Sequence, residues 1–278
     1  MVAGGLLAGV GCWKLAKNHR DAPEGTVHPD DEAWRKSSRM GAWVMIVAAL
    51  AVFGTGHAQA QIEAELQPMK LAASEGLLDT TQGAGFAIVG IYTQERDNQG
   101  ITRVTEVWSF EVPYALSILA FNDPNAEVMG INDLTEQYLA DGIRDVNGNR
   151  TQLQEEFSSQ LAQLSVDPVP NVMIAFYSFR LMIGLGTLAM LIGVLILWFT
   201  RKGHYPPTNK IWQYTMGALP FMPLFANSFG WILTEMGRQP WVVNPGENNV
   251  YLLTSLGVSD SVSAAYVATS LSVFTLLY

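Results

Sequence analysis

The sequence predicts an all-α membrane protein, a polytopic bundle of about five transmembrane helices with one large extracytoplasmic loop. Hydrophobic residues make up 49% of its 278 residues and charged residues only 15%, whereas about a quarter of the residues of a soluble domain are charged. A helix needs about 20 mostly apolar residues to cross a bilayer, because its backbone polar groups must be satisfied within the helix. Several runs in this sequence meet that requirement.

Three runs without Lys, Arg, Asp or Glu are long enough to span a membrane, namely residues 40–62, 181–200 and 211–234. The runs 1–13 and 261–278 are equally apolar but stop at the two chain ends. The sequence is therefore interpreted as an internal fragment with a truncated span at each end. Its single cysteine, Cys12, excludes an intrachain disulfide.

Charge predicts the orientation of the spans, because basic residues in short loops mark the cytoplasmic side. Residues 201–210 contain three basic residues and no acid, and residues 18–39 contain four Arg and Lys residues. Both loops are assigned to the inside. Residues 63–167, with 17 acidic and 5 basic residues, then lie outside, together with residues 239–260.

This alternation divides the chain into three parts. Residues 1–62 are two transmembrane helices with an inner loop, residues 63–167 are the extracytoplasmic loop, and residues 168–278 are three further helices. Within the loop, residues 85–92 and 104–110 are rich in β-branched and aromatic side chains and predict short strands, whereas residues 133–164 have helical spacing of apolar residues. We expect the loop to fold partly against the membrane domain.

Arg180 is the only charged residue between positions 168 and 200, and an ionisable group inside a span usually faces the protein interior and a partner. Met182 carries a thioether, which can be an axial ligand to haem iron. Alternatively, Met182 fills a gap in the core and Arg180 extends toward the outer interface. Positions two apart on a helix point about 200° apart, so one cofactor reaches both side chains only if the arginine bends around.

Glu235 and Arg238 end the fourth helix, three residues apart and therefore on one face, before Pro240 and Trp241. One interpretation is an interfacial salt bridge beside an aromatic belt residue. The other is a carboxylate ligand, with a cation that compensates an anionic cofactor edge.

Lys70 and Glu75 follow the second helix on the outer side, five residues apart. On a helix they diverge by about 140°. They therefore either line two sides of a headgroup pocket or lie in solvent.

Three segments occur in order on matching elements: Gln-Pro-Met-Lys-Leu-Ala-Ala-Ser-Glu at 67–75, Phe-Arg-Leu-Met at 179–182 and Gly-Arg-Gln-Pro-Trp-Val-Val at 237–243. Together with residues 113–120 of the outer loop, they resemble cytochrome bd quinol oxidase subunit I, the haem-bearing subunit. The resemblance extends over nearly all of the chain.

The resemblance implies roles for individual residues. Met182 resembles an axial ligand of the low-spin b haem, with Arg180 as its electrostatic partner. Glu235 resembles a ligand of one of the high-spin haems, beside which Arg238 and Trp241 would lie. Lys70 and Glu75 resemble quinol-binding residues, which would make residues 63–167 a quinol loop.

The resemblance also implies a terminal respiratory oxidase in the bacterial plasma membrane. Such an enzyme oxidises ubiquinol or menaquinol at the outer face and reduces dioxygen to water through two b haems and one d haem. It generates a proton motive force without pumping. The expected partners are oxidase subunit II, a small single-span subunit and membrane lipid, and no nucleic acid.

The sequence departs from the family pattern in several places. Helices that precede Met1 would carry the other haem ligands, and none of the four histidines matches the expected ligand opposite Met182. Asn244 stands where the family usually has tyrosine, and the outer loop is of the short type. Two other hypotheses are a transporter that uses Arg180 and Glu235 as an ion-coupling pair and a haem-free scaffold subunit.

Overall fold

A computed structural model describes residues 1–20, 26–98, 100–140, 167–243, 252–254, 257, 259 and 261–277. Its helices are α1 (Val2–Arg20), α2 (Asp31–Leu66), α3 (Pro68–Glu75), α4 (Ala115–Phe121), α5 (Ile131–Ala140), α6 (Val172–Phe199), α7 (Lys210–Ala218), α8 (Phe221–Gly237) and α9 (Ala264–Leu277). Its strands are β1 (Thr81–Gln82), β2 (Phe86–Arg96), β3 (Thr102–Val112), β4 (Glu127–Val128), β5 (Trp241–Val243) and β6 (Leu252–Leu253). The structure is mostly helical, and its two longer strands, β2 and β3, lie in the outer loop.

Two helices in the described part of the chain, α2 and α6, are long and apolar enough to cross a membrane. The pair α7 and α8 passes the same test if it counts as one bent span. The five predicted spans are therefore confirmed only in part. The terminal runs form α1 and the shorter helix α9, and their crossing of the membrane stays a prediction.

The run 211–234, predicted as one span, consists of two helices that are inclined by 46° to each other. The break lies at Leu219 and Pro220, between α7 and α8. Proline has no backbone N–H, and its ring clashes with the carbonyl four residues earlier, so it interrupts the hydrogen-bond ladder of a helix.

The bundle packs through small residues where α1 meets α2. A Cβ atom at Gly41 would overlap the backbone of Ala8 and lie 2.5 Å from the Gly4 carbonyl oxygen. Lipid tails are as apolar as the helix surfaces, so helices associate in a membrane largely through such close packing. The core between α1, α2, α6 and α7 also contains small residues at its centre, where Ala8, Ala42 and Ala189 are fully buried.

One end of the bundle gathers the two loops that were assigned to the inside. Asp31, at the start of α2, contacts His19 at 2.7 Å and the Tyr205 hydroxyl at 3.3 Å. Arg35 donates to the His204 carbonyl oxygen at 2.7 Å. The loops therefore lie on the same side of the bundle, as predicted, opposite the loop that follows α2.

The outer loop contains the two predicted strands. β2 and β3 form an antiparallel hairpin that pairs Phe86 with Val112 and Arg96 with Thr102. Both strands are longer than predicted. The predicted helix 133–164 is confirmed as far as α5 extends, and residues 141–164 lie outside the described residues. The hairpin, α3 and α5 share a buried core with α6, so the loop packs against the membrane domain.

We predict that Gly41→Ala destabilises the full-length protein by about 1–3 kcal/mol, because its Cβ overlaps backbone atoms that side-chain motion cannot move. Gly54→Ala is the matched control on the same helix, because a Cβ there meets no atom within 4 Å. It should leave stability unchanged or raise it. Thermal unfolding of the detergent-solubilised variants measures the difference, and equal midpoints would contradict this packing.

Candidate functional site

Helix α3 positions the first two candidate residues. The chain turns at Gln67 after α2, and Pro68 takes the first helical position, where its missing N–H costs nothing. Every residue from Met69 to Glu75 is buried. The helix ends at Gly76, which has a left-handed φ of 69°. The residue also packs against the Tyr92 ring, so there is no room for a Cβ and glycine is required.

Arg180 of α6 joins three elements of the structure. Its Nη2 lies 2.7 Å from Oε2 of Glu75 in α3, and its other donors reach the carbonyl oxygens of Ser74 and Ala87. The two side chains are only 11% and 3% exposed. Arg180 therefore reaches toward the outer loop, but three of its five N–H groups donate to buried protein atoms and its guanidinium does not extend into solvent.

Three phenylalanine rings surround the Arg180 guanidinium. Its Cζ lies 4.4 Å from the ring centres of Phe86 and Phe176 and 5.1 Å from that of Phe179. The ring faces attract the cation and exclude water. The exclusion of water also lowers the local dielectric, which strengthens the attraction between Arg180 and Glu75.

The environment of Glu75 changes its acidity. Burial raises the pKa of the Glu75 carboxyl above its ordinary range, the Arg180 guanidinium opposes that shift, and the Glu63 carboxylate adds to it. A carboxyl group whose pKa lies above its ordinary range holds a proton more readily than an exposed carboxyl group does.

Lys70 makes a separate ion pair. Its Nζ lies 2.8 Å from Oε1 of Glu63 in the last turn of α2, and the side chains are 10% and 18% exposed. Its stem packs against Gly237 at the end of α8, where a Cβ would lie 3.2 Å from the Lys70 Cγ. Lys70 and Glu75 thus diverge as predicted, but both are buried, so the solvated interpretation is wrong.

Met182 lies one half-turn further along α6 and faces α8. A Cβ at Gly230 would lie 2.8 Å from the Met182 sulfur. The thioether therefore occupies space that only a glycine leaves open. The side chain is partly buried against the core that contains Phe176 and Leu233.

The end of α8 carries the remaining predicted residues. Arg238 donates to Oε2 of Glu235 at 2.6 Å, and the two side chains are 39% and 35% exposed. Trp241 is buried, at 3% exposure, so it is not an exposed belt residue within the chain. Arg180 pairs with Glu75 and Glu235 with Arg238, so the Arg180–Glu235 pair of the transporter hypothesis is not formed.

Sequence reasoning missed two residues of this region. Glu63 and Lys70 would be two turns and about 10 Å apart on a continuous helix, and only the break between α2 and α3 brings them into contact. The Tyr92 hydroxyl is buried and has no hydrogen-bond partner among the described residues. Tyr92 lies on β2, where its alternation with exposed neighbours was the only available signal.

The structure is a helical bundle with two or three candidate spans. Buried ion pairs tie its outer loop to the spans. These features define an integral membrane protein with an ionisable site at one membrane boundary. The chain belongs to the family described as cytochrome bd terminal oxidase subunit I, which it matches over residues 1–278.

Individual relatives agree with this membership. The chain is 31% identical over 277 residues to cytochrome bd ubiquinol oxidase subunit 1 of Bacillus subtilis, covering 98% of this chain and 49% of the relative. It is 25% identical over 237 residues to cytochrome bd-II ubiquinol oxidase subunit 1 of Escherichia coli, covering 71% of this chain and 45% of the relative. The chain thus spans about half the length of the curated relatives it matches.

A solved structure has the same fold. The bd oxidase from Geobacillus thermodenitrificans superposes with a TM-score of 0.66 at 27% identity, covering 100% of this chain and 51% of that chain. The helical arrangement described above is therefore the bd oxidase fold over the matched half.

We predict a large coupling energy between Glu75 and Arg180. Glu75→Leu and Arg180→Met should each destabilise the full-length protein by about 3–5 kcal/mol, because each leaves a buried charge without its partner. The double variant should lose much less than the sum, because it leaves no unpaired charge. Unfolding of the four proteins in detergent measures the cycle, and additive losses would show that the pair is not coupled.

Proposed function

We propose that this chain forms the quinol-binding region and part of the haem-binding region of subunit I in a terminal respiratory oxidase. The enzyme oxidises quinol and reduces dioxygen to water. One observation carries the proposal, in addition to the family membership. The buried Glu75–Arg180 ion pair attaches the segment that resembles a quinol site to the span that carries Met182.

Lys70 and Glu75 have the chemistry that quinol oxidation requires. A quinol loses two protons and two electrons, so its hydroxyl groups need a hydrogen-bond donor and a proton acceptor. Lys70 supplies ammonium donors, and Glu75 supplies a carboxyl whose pKa is raised by burial. Such a group can hold a proton briefly and then pass it on. Both residues belong to one rigid, buried helix.

Met182 and Glu235 are proposed to bind haem iron. A methionine thioether is a known axial ligand that raises the potential of a haem, and the space beside Gly230 fits a thioether that faces the bundle interior. Glu235 would serve a high-spin haem, with Arg238 and Trp241 beside it. Haem, when bound, supplies one-electron transfer and the iron that reduces dioxygen. Arg180 supplies positive charge that favours anionic propionate groups nearby.

The finer features of the proposal come from the resemblance to the oxidase family. Quinol protons leave on the outer side, where residues 63–167 are proposed to lie in the bacterial plasma membrane. The protons consumed in water formation come from the inside, so charge separates without a pump. Two b haems, one d haem, ubiquinol or menaquinol, subunit II and a small single-span subunit complete the proposed enzyme.

We predict that Met182→Leu in the full-length oxidase abolishes the optical signature of the low-spin b haem and leaves the protein folded, because leucine keeps the volume and removes the sulfur. Met190→Leu is the control, since it changes another partly buried methionine of α6. Reduced-minus-oxidised spectra of membranes measure the effect. An unchanged spectrum for Met182→Leu would refute its assignment as a ligand.

We predict that Glu75→Gln reduces quinol oxidation at least tenfold and leaves oxidation of an artificial electron donor near the wild-type rate, because the amide keeps an oxygen acceptor for Arg180 but cannot take up a quinol proton. Glu65→Ala, an exposed change at the end of α2, should affect neither rate. Oxygen consumption with each donor measures both activities. Equal losses with the two donors would place the defect outside the quinol site.

A further inference from the structure

We propose that Glu63 is a positioning residue of the quinol site, which holds the Lys70 ammonium where it can donate to a quinol oxygen. The proposal rests on the quinol function proposed above and adds a residue of α2 to that site. Its basis is the buried Glu63–Lys70 ion pair.

The geometry of the pair leaves Lys70 able to bind a ligand. Nζ of Lys70 and Oε1 of Glu63 are 2.8 Å apart, but their angles do not make a hydrogen bond, and Oε1 has no other hydrogen-bond partner in the described part of the chain. The attraction fixes the position of the ammonium, while its N–H groups remain free to point elsewhere. A lysine ammonium has three donors on a flexible stem, so an ion pair of this kind limits its freedom.

The position of Glu63 makes it a rigid support. Glu63 lies in the last turn of α2, the 36-residue helix that is one of the candidate spans, and Lys70 lies in the first turn of α3. The turn at Gln67 brings these two helix ends together. Lys70 is therefore held between a membrane helix and Gly237 of α8, and binding residues held on rigid elements keep their geometry better than residues on loops.

Charge balance gives a second reason for the pair. Glu63, Lys70, Glu75 and Arg180 form two ion pairs, so the four side chains carry no net charge. The negative charge of Glu63 also repels the Glu75 carboxylate, and this repulsion raises the pKa of Glu75. Without the Glu63 carboxylate, the buried ammonium loses the one ion-pair partner that the described residues give it.

The test compares Glu63→Gln with Glu63→Asp and with Glu65→Gln in the complete oxidase. Glu65 is two residues away on the same helix but is exposed, which makes it a matched control. Glu63→Gln should raise the KM for quinol about tenfold, because a change of that size corresponds to the loss of one charge-assisted contact. It should leave the haem spectrum and artificial-donor oxidation unchanged. Glu63→Asp should recover part of the loss, and Glu65→Gln should match the wild type.

The pH profile separates positioning from a general structural role. The groups that face Glu75 are Arg180 on α6, Glu63 on α2 and Tyr92 on β2. Removal of the Glu63 charge removes repulsion from the Glu75 carboxylate, so Glu75 ionises at a lower pH. The rise of quinol oxidation with pH should therefore move to lower pH in Glu63→Gln, which a packing defect would not cause.

The outcomes distinguish this proposal from the proposed function. If Glu63→Gln matches Glu65→Gln in both KM and pH profile, or if it also loses haem or artificial-donor activity, Glu63 is not a positioning residue. The quinol site then still stands if Glu75→Gln selectively loses quinol oxidation. If Glu75→Gln shows no selective loss, the proposed function fails, whatever the result at Glu63.

Discussion

The buried guanidinium of Arg180 is the constraint on which the outer half of the structure depends. A charge in a water-poor environment is costly unless it is paired and hydrogen-bonded, and Arg180 meets that requirement only by contacting Glu75 and the carbonyl groups of Ser74 and Ala87. These contacts fix α3 and β2 against α6. The described part of the loop therefore shares a buried core with α6. Its position follows from the need to neutralise one cation in the span.

The opposite end of the bundle uses the same principle with the charges reversed. Asp31 is a buried carboxylate, and it is satisfied by Asn18, His19 and Tyr205 from α1 and from the loop after α6. Between the two ends, the helices meet through glycine and alanine, with no charged residue in the centre of α2 or α6. Polar networks thus fix the helix ends, while close packing fixes the middle. This division is the expected one where lipid removes the hydrophobic drive between helices.

The sequence predicted features that depend on local spacing and missed those that depend on tertiary contact. The strands, the spans α2 and α6 and the Glu235–Arg238 pair follow from local composition or from a separation of three residues. The partner of Arg180 is 105 residues away, and no local pattern identifies it among 17 acids of the loop. Glu63 was hidden because the turn at Gln67 breaks the helical phase. The break at Pro220 was visible in the sequence, but the apolar run concealed its consequence.

The separation of Arg180 from Met182 explains how one helix can serve two neighbours. Two residues advance a helix by about 3 Å and turn it by about 200°, and the structure uses that turn. Arg180 contacts the loop through Glu75, and the Met182 sulfur faces Gly230 of α8. A single cofactor contact shared by both side chains is therefore not required. The contact to the segment proposed to bind quinol and the thioether proposed to bind iron thus lie on opposite sides of one turn of α6.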